Sequence, residues 1–168
     1  MACRSGAVAA HTRTKRIRRA RRTATPRPGP LPYPSGVLQV LVDADNVDPF
    51  RTRAVLDALP PGAAVVVAGH PRALARVEWP EGATVVTAAG WQRADLVLAE
   101  AYEPSDDPLV LVSGDGDFGL LVGRHSGPVL VVSEAASYRL AGSGVTVVDP
   151  VVDGTDPLRR WLDGVAGE

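Results

Sequence analysis

Six short runs rich in valine and leucine recur along the chain from residue 38 onward, and they constrain the fold more than any other feature. Uninterrupted apolar runs of this length are typical of strands that are buried on both faces, as in a parallel sheet. The runs lie at residues 38–43, 63–68, 83–88, 109–113, 128–132 and 145–148. Segments with helical spacing lie between or after them, at residues 49–59, 71–77, 93–103, 117–124, 134–141 and 157–165. Strands that alternate with helices predict an α/β fold, a three-layer α/β/α sandwich around a mostly parallel sheet of five or six strands. We expect a strand order of about 3-2-1-4-5.

Length and cysteine content exclude several classes of protein. A chain of 168 residues accommodates one domain with a hydrophobic core, and is too short for two comfortable ones. Its longest apolar runs are far shorter than the ~20 residues that a membrane-spanning helix needs, so no membrane partner is expected. Cys3 is the single cysteine, which excludes a disulfide framework and a cysteine-based metal site. This pattern favours a reducing, cytoplasmic compartment.

Charge divides the chain into two parts. Residues 1–36 contain nine basic residues and no acidic ones, whereas residues 37–168 carry a net charge of −10. We therefore predict a disordered, basic and proline-rich leader at 1–36 and one domain at 37–168. Arginines of the leader could grip the phosphates of a nucleic acid, and these are Arg16, Arg18, Arg19, Arg21 and Arg22. A solvated tail, or residues added by an upstream translation start, are the alternatives.

Carboxylates follow two of the predicted strands directly. Asp43 ends the first strand, and Asp115 and Asp117 follow the fourth. In an open parallel sheet, ligands bind beyond the carboxyl ends of the strands, where the strand order reverses. With the expected order, the first and fourth strands are neighbours at that reversal. Asp95 lies near the start of the helix that crosses from the third strand to the fourth, so all four carboxylates are expected to share one crevice.

Crowded carboxylates require a counter-charge, and this domain contains no lysine to supply it. A divalent cation meets the requirement, and ligands that are all oxygen favour Mg²⁺ or Mn²⁺ over zinc. Such a site can activate water and stabilise the leaving oxygen of a phosphodiester. Supporting roles are predicted for Ser113, which could hydrogen-bond a carboxylate, and for Asn46, which could orient Asp43 or a metal-bound water. Asp45 points to the same space and is a weaker ligand. Gly114 and Gly116 would permit a tight turn close to metal or phosphate.

Each of these residues also has a purely structural interpretation. Asp45, Asn46 and Asp48 could cap the helix that begins at Pro49, and Asp48 fits the N-cap position best. Asp115 and Asp117 could form a turn, and Asp95 could be a first-turn acid stabilised by the helix dipole. Phe118 fits the core better than it fits a substrate contact.

Three segments together resemble the NYN domain family, a branch of the PIN-like metal-dependent ribonucleases. They read "LVDADN" from Leu41, "ADLVLAEAY" from Ala94 and "LVSGDGDF" from Leu111. The resemblance spans about residues 37–150 and implies a PIN-like fold. It also implies that Asp43, Asp95, Asp115 and Asp117 bind the metal, accompanied by Asn46, and that the chain is an endoribonuclease.

One position departs from the family's pattern. Where relatives often have a basic residue and a glycine before the helix aspartate, this chain reads "QRAD". Arg93 could do the work of that basic residue, and we expect it to contact the nucleic acid. Few other basic residues surround the predicted crevice. The basic leader is therefore the stronger candidate for holding RNA.

Two other functions compete with a ribonuclease. "DADNV" is also similar to the first motif of haloacid-dehalogenase-like phosphatases, but those enzymes normally use a lysine that this domain lacks. A non-catalytic NYN-like domain could bind RNA or a protein without cutting. A nucleotide-binding Rossmann domain is disfavoured because no G-x-G-x-x-G motif follows the first strand. His70 could act as a proton shuttle and Trp91 could stack on a base, although a loop and a packing role respectively suit them better. A homodimer is compatible with these residues, but nothing in them requires one.

Overall fold

The computed structural model of the chain describes residues 36–88, 90 and 93–166. The predicted leader lies outside the described residues except for Gly36, and so do the five leader arginines predicted to contact nucleic acid and Trp91. The domain expected from residue 37 onward is the part that the structure describes.

The described residues form one sheet of six parallel strands. The strands are β1 (Gln39–Asp43), β2 (Ala64–Gly69), β3 (Thr84–Thr87), β4 (Leu109–Val112), β5 (Val129–Val132) and β6 (Val145–Val148). Their order is β3-β2-β1-β4-β5-β6, which confirms the predicted order and adds β6 at one edge. Every residue of β1, β4 and β5 is buried, as expected for central strands that are covered on both faces.

Helices cover both faces of the sheet. They are α1 (Pro49–Leu56), α2 (Pro71–Leu74), α3 (Arg93–Ala101), α4 (Gly119–Val122) and α5 (Asp156–Ala166). One core lies on the face of α1, α2 and α5, where Val55 and Leu158 pack against β-strand residues such as Val42. The other core lies under α3 and α4 and contains Leu98 and Phe118. Because successive strand residues point to opposite faces, the continuous apolar runs feed both cores and produce the predicted three layers.

Asp48 and Phe118 have the structural roles expected of them. The Asp48 carboxylate accepts hydrogen bonds from the backbone N–H groups of Phe50 and Arg51, which confirms it as the N-cap of α1. Phe118 is only 2% exposed and therefore belongs to the core.

The predicted helix at 134–141 is wrong. This segment forms bends and a single 3₁₀ turn at Tyr138–Leu140. The side chains of Ser133 and Ser137 accept hydrogen bonds from the backbone N–H groups two residues later, at Ala135 and Arg139. Such local bonds compete with a helix, because they offer the backbone another partner. We name the connection between β5 and β6, residues 133–144, the β5–β6 loop.

Arg51 connects α1 to the far edge of the sheet. Its side chain is 10% exposed and makes two hydrogen bonds to the Asp149 carboxylate, at 2.8 and 2.9 Å, and it also pairs with Asp48. These hydrogen bonds lower the pKa of Asp149. Burial raises the pKa of Asp48, but the hydrogen bonds from Arg51 and the α1 N–H groups outweigh burial and leave that pKa below its ordinary value. The ion pairs therefore hold the start of α1 against the loop after β6. None of the helices in the described part of the chain is long and apolar enough to cross a membrane.

Candidate metal centre

The candidate site lies at the edge of the sheet where its parallel strands end. Val42 pairs with Val112, so the residues that follow β1 and β4 leave the sheet side by side. The N-terminus of α3 reaches the same edge. Together these segments form an open cleft of about 400 Å³, lined by Asp43, Asp45, Asn46, Gly90, Ala94, Asp95, Asp115 and Asp117. The structure thus brings all the predicted carboxylates into one crevice.

Three of these carboxylates form a close group, which we call the acid cluster. Asp95, Asp115 and Asp117 each offer one carboxylate oxygen, and these oxygens lie within 4.8 Å of one another. Ligand oxygens at 2.0–2.1 Å from an octahedral Mg²⁺ are themselves roughly 3–4 Å apart, so small side-chain adjustments suffice to hold such an ion. The donor set is all oxygen and the spacing matches, so the residues present fit a hard divalent cation.

Asp43 lies outside the acid cluster but lines the same cleft. The side chain is buried, and its Oδ1 accepts a hydrogen bond from the Asp45 N–H at 3.1 Å. Its Oδ2 accepts a long hydrogen bond of 3.4 Å from the Ser113 hydroxyl, the contact expected of that serine. Burial raises the pKa of Asp43 to about 6; the Asp45 N–H opposes the rise, and the charges of Asp95 and Asp45 add to it. A carboxyl group that titrates near neutral pH therefore lies beside the cluster.

Negative charge accumulates at the cluster itself. The pKa of Asp95 is raised, first by burial and then by the charges of Asp115, Asp117 and Asp45. Each of these charges disfavours ionisation of Asp95, and a bound cation would reverse that effect. The electrostatics of the cleft therefore favour the binding of a cation.

Asn46 and Asp45 hold the loops of the cleft together. The Asn46 side-chain oxygen accepts a hydrogen bond from the Gly114 N–H at 2.7 Å, and so it joins the segments after β1 and β4 rather than orienting Asp43. Both oxygens of Asp45 accept from the His70 N–H, at 2.9 and 3.0 Å. The His70 ring in turn accepts from the Arg72 N–H and caps α2, so His70 has a structural role.

Glycines keep the turn after β4 close to the β5–β6 loop. A Cβ at Gly114 would overlap the Ser133 hydroxyl oxygen, and one at Gly116 would lie 2.6 Å from the Ser137 hydroxyl oxygen. Neither glycine is among those with positive φ. Their function is close packing of backbone, and the turn conformation itself does not demand glycine. Within this turn the Asp115 carboxylate accepts from the Asp117 N–H at 2.9 Å, which fixes its direction.

Basic side chains lie at the margins of the cleft. Arg93, which was predicted as a nucleic-acid contact, packs close to Gly90, a residue of the cleft wall. Arg139 was not predicted. Its side chain lies beside Gly116, where an added Cβ would be 3.1 Å from the Arg139 Cδ, and it shares a surface depression with Asp117. No local motif marks Arg139, because only the folded β5–β6 loop brings it next to the turn after β4.

Comparison of the chain with protein-family models, with curated proteins and with solved structures gave no match.

Proposed function

We propose that this chain is a divalent-metal-dependent endoribonuclease. The observation that carries the proposal is the convergence of the acid cluster at the reversal of strand order, next to the buried carboxyl of Asp43. Asp95, Asp115 and Asp117 would hold Mg²⁺ or Mn²⁺. When bound, the cation would activate water and stabilise the charge that develops on the phosphodiester.

We assign proton transfer to Asp43. A general base acts best when its pKa lies near the working pH, and burial brings the pKa of Asp43 to about 6. The hydrogen bonds from the Asp45 N–H and the Ser113 hydroxyl fix the orientation of the carboxyl group. Asp43 thereby differs from the cluster carboxylates in environment as well as in position.

Positive charge supports RNA as the substrate. Arg93 and Arg139 lie beside the cleft, where they would be available to contact phosphates of the substrate. Residues 1–36 add nine basic side chains and no acidic ones. The resemblance of the three acidic motifs to NYN ribonucleases points to the same substrate. A cytoplasmic location, where RNA and Mg²⁺ occur together, is part of the proposal.

A phosphatase that uses Asp43 as its nucleophile fits the cleft less well. Asp43 is only 4% exposed, and both of its oxygens already accept hydrogen bonds. A nucleophilic carboxylate must contact the phosphorus atom itself, whereas a general base needs only to reach one water molecule in the cleft that Asp43 lines, so this burial disfavours the nucleophile more than the base. Lys15 is the only lysine of the chain, so the domain has none to hold a phosphorylated intermediate.

The test begins with calorimetric titration of Mn²⁺ into the full chain at near-neutral pH. We expect binding by the wild type and its loss in Asp115→Asn, whose side-chain oxygen can still accept from the Asp117 N–H and so preserve the turn. Glu100→Gln is the matched control, because Glu100 is an exposed acid on the same helix as Asp95. It should bind Mn²⁺ as the wild type does.

Cleavage of labelled RNA is then measured with the same variants. The wild type and Glu100→Gln should cut RNA with Mg²⁺ or Mn²⁺ and should stop when EDTA is added. Asp115→Asn should not cut. Full activity of Asp115→Asn, or the absence of Mn²⁺ binding by folded wild type, would contradict the proposal.

A further inference from the structure

A second depression adjoins the candidate metal centre and has a different character. It lies between α3 and α4, has a volume of about 590 Å³, and we call it the α3–α4 groove. Its walls are mainly apolar, and Leu96 and Leu120 are 65% and 75% exposed there. Two exposed leucines on neighbouring helices give the groove an apolar surface of the kind that ligand-binding grooves present. Binding of the cation and proton transfer by Asp43 do not require this apolar surface.

The groove is continuous with the acid cluster. Asp95 and Asp117 line both depressions, so a ligand that fills the groove ends at the cluster. From Asp95 the groove follows α3 to Tyr102, a distance of about 10 Å at the helical rise per residue. This length suits one nucleotide extending away from the reacting phosphate.

Tyr102 supplies an aromatic ring to the wall of the groove, seven residues along the chain from Asp95. The His125 Nε2 lies 2.7 Å from the Asp107 carbonyl oxygen and must donate to it. The His125 Nδ1 is therefore the acceptor for the Tyr102 hydroxyl, at 3.1 Å. This chain of hydrogen bonds fixes the half-buried Tyr102 ring, and a fixed ring is a good stacking partner for a base.

The groove is lined by charges of both signs. Two carboxylates stand at the cluster end, whereas Arg124 lines the groove elsewhere and contributes a positive charge. Apolar walls with an aromatic ring suit a nucleobase, and the guanidinium of Arg124 suits a phosphate. The combination matches a nucleotide better than a wholly apolar peptide.

We propose that the α3–α4 groove binds the base of the nucleotide adjacent to the scissile phosphate of single-stranded RNA, and that Arg124 contacts the next phosphate. The proposal rests on the ribonuclease function and adds the place where one base of the substrate lies. In a duplex the base is paired and stacked, so it cannot enter a groove between two helices. The enzyme should accordingly cut single strands in preference to duplexes.

The test uses the full chain and a series of single-stranded RNA oligonucleotides, each with one abasic position. The wild type should lose roughly tenfold in kcat/KM when the abasic position is adjacent to the cut, and little when it is elsewhere. The double variant Leu96→Ser/Leu120→Ser should show a similar loss on intact RNA and no further loss on that abasic substrate, because both changes remove one interaction. Both leucines are exposed, so the variant should fold and should bind Mn²⁺ like the wild type.

Matched variants control for general effects on the surface. Val152→Ser changes a side chain that is 78% exposed outside the groove and should leave kcat/KM unchanged. Arg124→Gln should raise KM for RNA several-fold, whereas Arg160→Gln, an exposed arginine on α5, should not.

The outcomes separate the groove from the ribonuclease function. Suppose that the wild type cuts RNA with Mn²⁺, but that removing the base next to the cut lowers kcat/KM by the same factor in the double variant as in the wild type. The base then does not lie in the groove. Equal cleavage rates on duplex and single-stranded RNA would also overturn the proposal. So would a result in which the wild type is a dimer, Leu96→Ser/Leu120→Ser is a monomer, and both cut intact RNA with the same kinetics, because the groove would then bind a second copy of the chain. If the wild type shows no metal-dependent cleavage, the ribonuclease function fails and the groove proposal fails with it.

Discussion

Asp43→Asn is expected to stabilise the fold of the metal-free protein at neutral pH. The Asp43 carboxyl is buried, and burial raises its pKa from the ordinary 3.8 to about 6. Asparagine has nearly the same shape. Its oxygen can still accept from the Asp45 N–H, and its amide can donate to the Ser113 hydroxyl oxygen. The substitution therefore removes a buried charge and keeps both contacts.

The expected size of the effect follows from the pKa of Asp43. The folded state binds this proton more tightly than the unfolded chain does, so unfolding releases it between about pH 4 and pH 6. The free energy of unfolding of the wild type consequently falls as the pH rises through this range. A tenfold change in proton affinity is worth about 1.4 kcal/mol, so the full penalty above pH 6 is about 3 kcal/mol. It should be about half as large near pH 5 and well below 1 kcal/mol near pH 4.

Urea denaturation in the presence of EDTA measures this difference. Wild type and Asp43→Asn are compared at about pH 7.5, 5 and 4, with Asp163→Asn, an exposed acid on α5, as the control. The control should change stability by no more than about 0.5 kcal/mol. A variant that is no more stable than the wild type at pH 7.5, or a gain that persists unchanged at pH 4, would refute the reasoning.

Three further predictions concern the metal, the buried arginine and the glycines. The affinity for Mn²⁺, measured by calorimetry, should fall as the pH drops from about 7 to 5, because protonation of Asp43 near pH 6 removes a negative charge beside the cluster, and the raised pKa of Asp95 favours a proton that competes with the cation. Arg51→Met should lower the melting temperature by roughly 5 °C while Arg160→Met does not. Because the partner carboxyls of Arg51 have lowered pKa values, its contribution is present at neutral pH, and the difference should shrink as the pH falls below about 4. Gly114→Ala should destabilise the protein by about 1–3 kcal/mol in urea, since its Cβ would overlap the Ser133 side chain, whereas Gly164→Ala in α5 meets open space and should stabilise it by up to about 1 kcal/mol.

The sheet and the convergence of the acids could be predicted from the sequence. Both follow from the apolar runs, which mark the strands, and from the order in which parallel strands are arranged in such a sheet. Strands that are buried on both faces must be apolar throughout, and the runs at β1, β4 and β5 show this directly. Once β1 and β4 are neighbours, Asp43 and the acids after β4 must leave the sheet at the same edge. The N-cap at Asp48 was equally readable, because capping involves only residues that are close in sequence.

Contacts between distant segments could not be predicted in this way. Arg51 and Asp149 are 98 residues apart, and nothing near either one marks the pair. Arg139 reaches the margin of the cleft only because its segment failed to form the expected helix. Helical spacing at 134–141 was outweighed by two serines that bond to the backbone locally, a competition that apolar periodicity does not register.

Gly114 and Gly116 were identified from the sequence as important residues, but the reason given there was incomplete. The sequence suggested a tight turn near metal or phosphate, whereas the structure gives these glycines a packing role against the β5–β6 loop. The Ser137 N–H also donates to the Gly114 carbonyl oxygen at 3.0 Å. The β5–β6 loop therefore packs against the turn that carries Asp115 and Asp117 and stabilises it, although the loop contributes no carboxylate to the cluster. Substitutions that enlarge Ser133 or Ser137 should then displace the cluster and weaken Mn²⁺ binding without touching any proposed ligand.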